Sequence, residues 1–502
     1  MNAPLRRVGV VVMVLFGLLF ANLNWVQAYK GNDYRTSQYN GRVQIDEYDR
    51  QRGFIMAGGK EVALSKETED NLKYLRTYPN GPAYAHVLGY KPVNGAATGI
   101  EQMENDFLAG TSDKLFADRL RDMFTGEHTA GGNVMLTLSR TAQETAYKEL
   151  TNNRNGAKVG AVVALDPTTG AVLAMVSMPS FDPNPLVQHS DSKASSAYDT
   201  LNNRADKPLL NRATQERWPP ASTFKVMVSA AALGNGANPE TLVEAGPTYQ
   251  APGTTHVIKN SHADVCPDDK ITLKQALTVS CNTAFARLGV ELGAQQLTDT
   301  VKAFGFYDDE LRVGNLSTLD KAPRVAESVT GPLTTSSGGD DKPTIAISSI
   351  GQAEVKMTPM QGALIASSIA NDCSQMRPYL VDQLVGPDLT SKLYVASPKE
   401  LRRTCTSTVA GQLREMMVSV VENGTGKKAQ IDGYVVGGKT GTAENDEDAK
   451  SHGWFIGFAM KDGRPVAAVA VFLENAGKGG SGEAARIAGQ VMRGVIADKG
   501  GK

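Results

Sequence analysis

Two hairpins written in apolar residues bracket the C-terminal two thirds of the 502-residue chain, and they leave few folds open. The first joins the run Lys158–Leu165 to Ala171–Ser177 through Asp166-Pro-Thr-Thr-Gly170; the second joins Gly453–Ala459 to Pro465–Leu473 through Lys461-Asp-Gly-Arg464. A helical pattern from about Glu483 to Ala497 closes the chain, and helical segments fill the space between the hairpins. Strand pairs at both ends of a helix-rich stretch predict an α/β chain of the α+β type, an antiparallel sheet with helices packed on its faces.

Residues from about 30 to 150 have a different texture, polar and broken by glycines, with short apolar runs such as Arg52-Gly-Phe-Ile-Met and Ala85-His-Val-Leu-Gly-Tyr90. Leu150–Gly156 reads as a linker. The expected division is a domain over 29–155 and a second over 156–502, as the length also suggests. Before both, Arg6 and Arg7 precede an uncharged run from Val8 to Ala21, and apolar character continues to Trp25 and Val26. That approaches the roughly 20 residues that cross a bilayer as a helix. The arginines place residues 1–7 in the cytoplasm, Trp25 and Tyr29 at the far interface, and the rest outside, with 8–28 as a single-pass anchor in the cell membrane. The alternative is a signal peptide cleaved near Val26-Gln27-Ala28; in either case the bulk of the chain is exported.

Composition removes several function classes. A net charge of -1 offers no basic footprint for nucleic acid. The four cysteines form no CxxC pair and the six histidines no HExxH, and His86 and His128 lack neighbours that would make a metal site, so no metal is expected. Those two histidines read as structural or surface residues.

The chemistry begins at Pro219-Pro220-Ala-Ser222. Proline suits a helix start, and Phe224, Val226, Met227, Val228, Ala230, Ala231, Ala232 and Leu233 are apolar on nearly every face, so the helix is buried until Gly234-Asn-Gly236 ends it. Ser222-Thr-Phe-Lys225 puts a lysine one turn from a serine on the same face. A serine needs a base to attack a carbonyl, and a lysine serves once burial or a neighbouring cation depresses its pKa. The motif alone is weak; Ser190-Asp-Ser-Lys193 repeats it in a polar stretch that reads as a solvated loop. Two further elements strengthen it. Ser280-Cys-Asn282 lies between helical segments at Leu273–Leu277 and Thr283–Leu288, and Lys439-Thr-Gly-Thr442 follows the strand-like Tyr434-Val-Val, with Gly437 and Gly438 expected to leave room for a ligand. SxxK, SxN and KTG in this order are the set of penicillin-interacting serine enzymes. Gly433–Thr440 also fits GxxxxGK[ST], but a phosphate loop needs a helix directly after Lys-Thr, and here an acidic stretch from Gly441 to Asp448 follows.

With these motifs the chain resembles the class B penicillin-binding proteins, above all those of actinobacteria, over nearly its whole length. Arg52-Gly-Phe-Ile55, Tyr78-Pro-Asn-Gly81, His86–Tyr90 and Gly99-Ile-Glu101 look like the family's pedestal, a dimerisation-like domain. Asn211-Arg-Ala213, Gly351-Gln352, Thr358-Pro359, Asn423-Gly-Thr-Gly426, Gly438–Ala443 and Trp454-Phe-Ile-Gly457 look like its transpeptidase domain. Two positions depart from the pattern: the family's Pro-Gly before the nucleophile is Pro220-Ala221, and its Gly-Gln-Gly is Gly351-Gln352-Ala353. Both are small-residue changes that leave activity expected.

The resemblance implies that Ser222 attacks the penultimate D-Ala of a peptidoglycan stem peptide ending in D-Ala-D-Ala while Lys225 takes its proton. Ser280 passes a proton to the leaving D-Ala, Asn282 binds substrate backbone and positions Lys225, and Lys439 supplies positive potential. Thr440, Gly441 and Thr442 bind substrate, the two threonines with Lys439 holding its terminal carboxylate, and the backbone N–H groups of Ser222 and Thr442 form the oxyanion hole. A second stem peptide's amine completes the cross-link, in cell-wall synthesis and cell division; β-lactams enter the same route and stall. No cofactor is implied, and glycan polymerisation falls to a membrane glycosyltransferase partner. The rivals are a D,D-carboxypeptidase or β-lactamase with water as acceptor, against which the pedestal and anchor speak, and an acylated β-lactam sensor, which would need a cytoplasmic output domain that six or seven residues cannot supply.

In an exported domain four cysteines pair in three ways. Locality favours Cys266–Cys281, closing a loop of about 15 residues worth roughly 3 kcal/mol, with Cys373–Cys405 as the second bond. The alternative is a buried free thiol at Cys281.

Overall fold

The computed structural model describes residues 3–31, 48–125, 129–262, 264–443 and 450–500. His128 and the acidic run after Ala443 lie outside them.

The expected sheet is present. Its five strands run in the order Val435–Ala443, His452–Lys461, Arg464–Leu473, Gly160–Leu165 and Val172–Met178, all antiparallel, so the two hairpins meet where Arg464–Leu473 pairs with Gly160–Leu165. Strand side chains alternate between faces. Ala468, Ala470 and Phe472 enter one core and Val469, Val471 and Leu473 the other. Helices Arg140–Thr151 and Gly480–Gly500 cover the second face, and Pro359–Ala370 the first. The last helix starts earlier than its apolar pattern because glycines let it close on the sheet: a Cβ on Gly453 would lie 2.4 Å from the carbonyl carbon of Gly480.

Arg140–Thr151 packs with these C-terminal elements through Ala142, Ala146 and Leu150. The segment after it, read as a linker, is a turn held by Asn153, whose Nδ2 donates to Leu150 O and Ala157 O, both at 2.8 Å.

The polar N-terminal region contains a sheet its sequence did not announce. Six strands run in the order Lys392–Val395, Val381–Val385, Asn133–Leu136, Ile55–Ala57, Lys60–Glu67 and Tyr74–Thr77, so two strands from far along the chain complete it. Beneath it, buried Glu101 receives Arg52 Nε at 2.7 Å, Arg76 Nε at 2.6 Å and the Tyr78 hydroxyl at 3.2 Å. His86 is a structural histidine: its Nε2 meets Pro208 O at 2.8 Å, and burial pushes its pKa down to about 4.

The N-terminal helix Ala3–Asn24 runs on through a wider turn, Trp25–Tyr29. Arg6–Tyr29 is long and apolar enough to cross a membrane, and none of it is buried in the protein.

Two local readings need correction. Ser190 and Lys193 are exposed as expected, yet they sit at the start of a helix, Asp191–Asn202, that buries none of its residues. Its alanines and acidic first turn favour helix even where no apolar face drives packing. Gly437 and Gly438 make room for aromatic rings rather than a ligand: added Cβ atoms would lie 2.3 Å from the rings of Phe458 and Phe455. The reading against a phosphate loop agrees with the structure: Val435–Ala443 is one continuous strand through Lys439-Thr440.

Candidate active site

Ser222 lies in a tight helical turn, Ala221–Phe224, that leads directly into the helix Lys225–Gly234, buried from Lys225 to Leu233. The turn is clamped from two sides. Trp454 Nε1 donates to Pro219 O at 3.0 Å, and Gly441 brings the KTG strand so close that a Cβ there would sit 2.7 Å from Pro220 O. On the other side Ala221 N–H donates to Gly351 O at 2.9 Å. Ala221 has φ +49 and Ala353 φ +57. Both departures from the family pattern thus fall on left-handed backbone, where an L-residue costs roughly 1–2 kcal/mol that glycine does not.

Ser280 ends the helix Leu273–Val279 in a left-handed conformation, φ +65, and Cys281 caps the helix Asn282–Ala303. This sharp turn projects Ser280 and Asn282 toward Lys225. Lys225 Nζ donates to Ser280 O at 2.8 Å, Ser280 Oγ at 3.2 Å and Asn282 Oδ1 at 2.6 Å. Lys439 Nζ reaches the same hydroxyl at 2.9 Å and also Thr440 O at 3.0 Å. Two buried lysines therefore share one serine hydroxyl. Burial first, then the charge of Lys439, holds the Lys225 amine well below the ordinary lysine range. Burial alone pushes Lys439 down to about 7.

The structure brings Ser222, Lys225, Ser280, Asn282 and the Lys439–Thr442 strand together. Among the described residues no hydrogen bond ties the half-buried Ser222 hydroxyl, so it is open to a substrate; in unliganded sites catalytic hydrogen bonds often tighten only on binding. Thr440 is buried, its hydroxyl bonded to Thr425, whereas Thr442 is exposed and donates to Ser481 Oγ at 3.0 Å. Disulfides join Cys266 to Cys281 and Cys373 to Cys405. Residues unremarked in the sequence also shape the site: Lys259 O accepts from Asn282 Nδ2 at 2.9 Å, and Asn260 Oδ1 accepts from the backbone N–H of Asn282 at 2.9 Å. No local pattern marks them, because they act through a loop folded back on the SxN turn. Among the described residues no cluster of three or more His, Cys, Asp or Glu side chains could hold a metal.

A family model described as the penicillin binding protein transpeptidase domain matches residues 160–493, and one described as the penicillin binding protein A dimerisation domain matches 52–134. The chain belongs to the penicillin-binding protein transpeptidase family. Among related members, peptidoglycan D,D-transpeptidase PbpA of Mycolicibacterium smegmatis is 41% identical over 99% of both chains. The protein of the same name from Mycobacterium tuberculosis is 39% identical over 99% of this chain and 98% of its own. The solved structure of penicillin-binding protein A from M. tuberculosis as a ceftriaxone acyl-enzyme complex superposes with a TM-score of 0.83 at 39% identity, covering 90% of this chain and all of that one. The fold is that of the family: a transpeptidase domain, an N-terminal dimerisation domain and one apolar N-terminal helix.

Proposed function

We propose that this chain is a serine-type peptidoglycan D,D-transpeptidase that cross-links stem peptides through a Ser222 acyl-enzyme and is inhibited by β-lactams. The observation that carries this reading is the Ser280 hydroxyl shared by two buried, pKa-depressed lysines, of which Lys225 lies one helical turn from Ser222. Relatives named D,D-transpeptidases and solved as β-lactam acyl-enzymes support it.

The chemistry follows from the donors and acceptors. Ser280 O and Asn282 Oδ1 can only accept, so a neutral Lys225 spends its two N–H bonds on them and keeps its lone pair free for a hydroxyl proton. Lys225 takes the Ser222 proton as Oγ bonds to the penultimate D-Ala carbonyl. Lys439, donating to Ser280 Oγ, turns the Ser280 proton toward the lysine amine or the leaving group. The C–N bond to the terminal D-Ala breaks as its nitrogen takes that proton, and Lys225 passes the proton it took from Ser222 to Ser280 Oγ, leaving both groups as they began. An amine of a second stem peptide then attacks the ester, loses a proton to the same relay, and leaves the cross-link with Ser222 restored. Backbone N–H groups of Ser222 and Thr442 stabilise the oxyanion, Lys439 and Thr442 hold the substrate carboxylate with Thr440, and Gly441 keeps the strand close to the serine turn.

The Arg6–Tyr29 helix anchors the chain, with Arg6 and Arg7 on the cytoplasmic side and the folded domains outside, where two disulfides persist. Glycan strands come from a separate membrane glycosyltransferase. The test is incubation of the full chain with a D-Ala-D-Ala stem peptide and an amine acceptor. Cross-linked product that disappears in Ser222→Ala supports transfer. Hydrolysis alone would make the protein a carboxypeptidase.

A further inference from the structure

The segment preceding the SxN turn grips the start of the Asn282–Ala303 helix at three points. Gly246 O accepts from Thr283 Oγ1 at 2.7 Å, Cys266 is bonded to Cys281, and Asn260 lies between them. Asn260 Oδ1 accepts from the backbone N–H groups of Asn282, at 2.9 Å, and Thr283, at 3.2 Å, while its Nδ2 donates to Gly246 O at 3.1 Å. A helix leaves its first N–H groups without partners inside itself. Here the local cap, Cys281 Sγ, serves only Ala284 N, so the first two donors rest on Asn260.

The backbone around Asn260 also decides which way the Asn282 amide faces. Lys259 O can only accept and a protonated Lys225 can only donate, so one orientation satisfies both: Nδ2 on Lys259 O at 2.9 Å and Oδ1 on Lys225 Nζ at 2.6 Å. We propose that Asn260 is a positioning residue for the transpeptidase reaction, holding Asn282 so that its Oδ1 orients the Lys225 amine; the inference rests on the transpeptidase reading above. Losing Asn260 frees the first turn of the helix, lets the Asn282 amide rotate, and costs the base its alignment without touching substrate. The Cys266–Cys281 bond limits how far the loop can then withdraw.

A residue that merely capped a helix would lower stability and nothing more. The full chain is therefore compared as wild type, N260A, N260D and T406A. The last removes an ordinary cap, Thr406 Oγ1 on Val409 N, from a different helix. Penicillin acylation is resolved into the initial binding constant and the acylation step, and melting curves accompany each variant. N260A is expected to slow the acylation step about tenfold with little change in binding, N260D to recover part of that rate because a carboxylate still accepts both helix N–H groups although it loses the donation to Gly246 O, and T406A to acylate as wild type. The inference is overturned if N260A acylates like T406A, or if N260D is no faster than N260A. Absence of wild-type acylation at Ser222 would instead overturn the transpeptidase reading itself.

Discussion

The N-terminal sheet and the SxN turn each bury a pair of cations, and they differ by one carboxylate. Under the N-terminal sheet Arg52 and Arg76 close on Glu101, whose carboxyl burial alone would raise but which Arg76 and Arg52 hold below its ordinary range. At the SxN turn Lys225 and Lys439 face each other across Ser280, and each is bonded to hydroxyls and carbonyls rather than to an acid. The first arrangement keeps all its charges and fixes a shape. The second destabilises its own charges, so an amine can be neutral near pH 7 and act as a base. A buried cation pair is structural or reactive according to whether the fold supplies its counter-ion.

The largest expected effect is at Lys225. Lys225→Arg keeps the charge but cannot surrender a proton, so labelling by a fluorescent penicillin should slow by about a thousandfold, within the range of a lost general base. Lys439→Arg should lose far less, and equal losses would break the proposed division between base and cation. At the other cluster, Glu101→Gln leaves two buried guanidinium groups short of a charge and should cost about 3–5 kcal/mol by chemical denaturation. The acylation rate of the remaining folded protein should be unchanged; a parallel fall in rate would show that the clusters are coupled.

Stability against pH sharpens the contrast, because the slopes have opposite origins. Lys439 has a folded pKa of about 7, below its ordinary value of 10.5, so between those values the unfolded chain binds more protons and stability rises with pH. Wild type should gain on Lys439→Met from pH 7 to 10, and a flat difference would mean that Lys439 titrates normally. Glu101, depressed, contributes above the ordinary carboxylate range and loses that contribution as pH falls through its folded value. The smallest effect is expected for Ala221→Gly. Relief of left-handed strain, offset by glycine's greater unfolded-state entropy, should change stability by less than about 1 kcal/mol, and a large destabilisation would show that the methyl group packs usefully.

The clustering of the three motifs was legible in the sequence because each motif is local: SxxK needs one helical turn, SxN one tight turn, KTG one strand. The central sheet was legible because both hairpins carry their own turn chemistry. The N-terminal sheet was not, since its strands Val381–Val385 and Lys392–Val395 arrive from another part of the chain and no periodicity in residues 30–150 reports them. Gly437 and Gly438 were misread for the same reason: whether a glycine faces a ligand or a Phe ring on the next strand is decided by register. Asn260 lay outside any motif, whereas Cys266–Cys281, which secures the same loop, could be anticipated from its short spacing.

The central claim is that Ser222 is the acylated nucleophile. Intact-protein mass spectrometry after exposure to a penicillin, followed by peptide mapping, tests it most directly. One adduct is expected, on Ser222, absent in Ser222→Ala and unaffected by Ser190→Ala. An adduct that survives loss of Ser222, or that maps to another serine, would contradict the account.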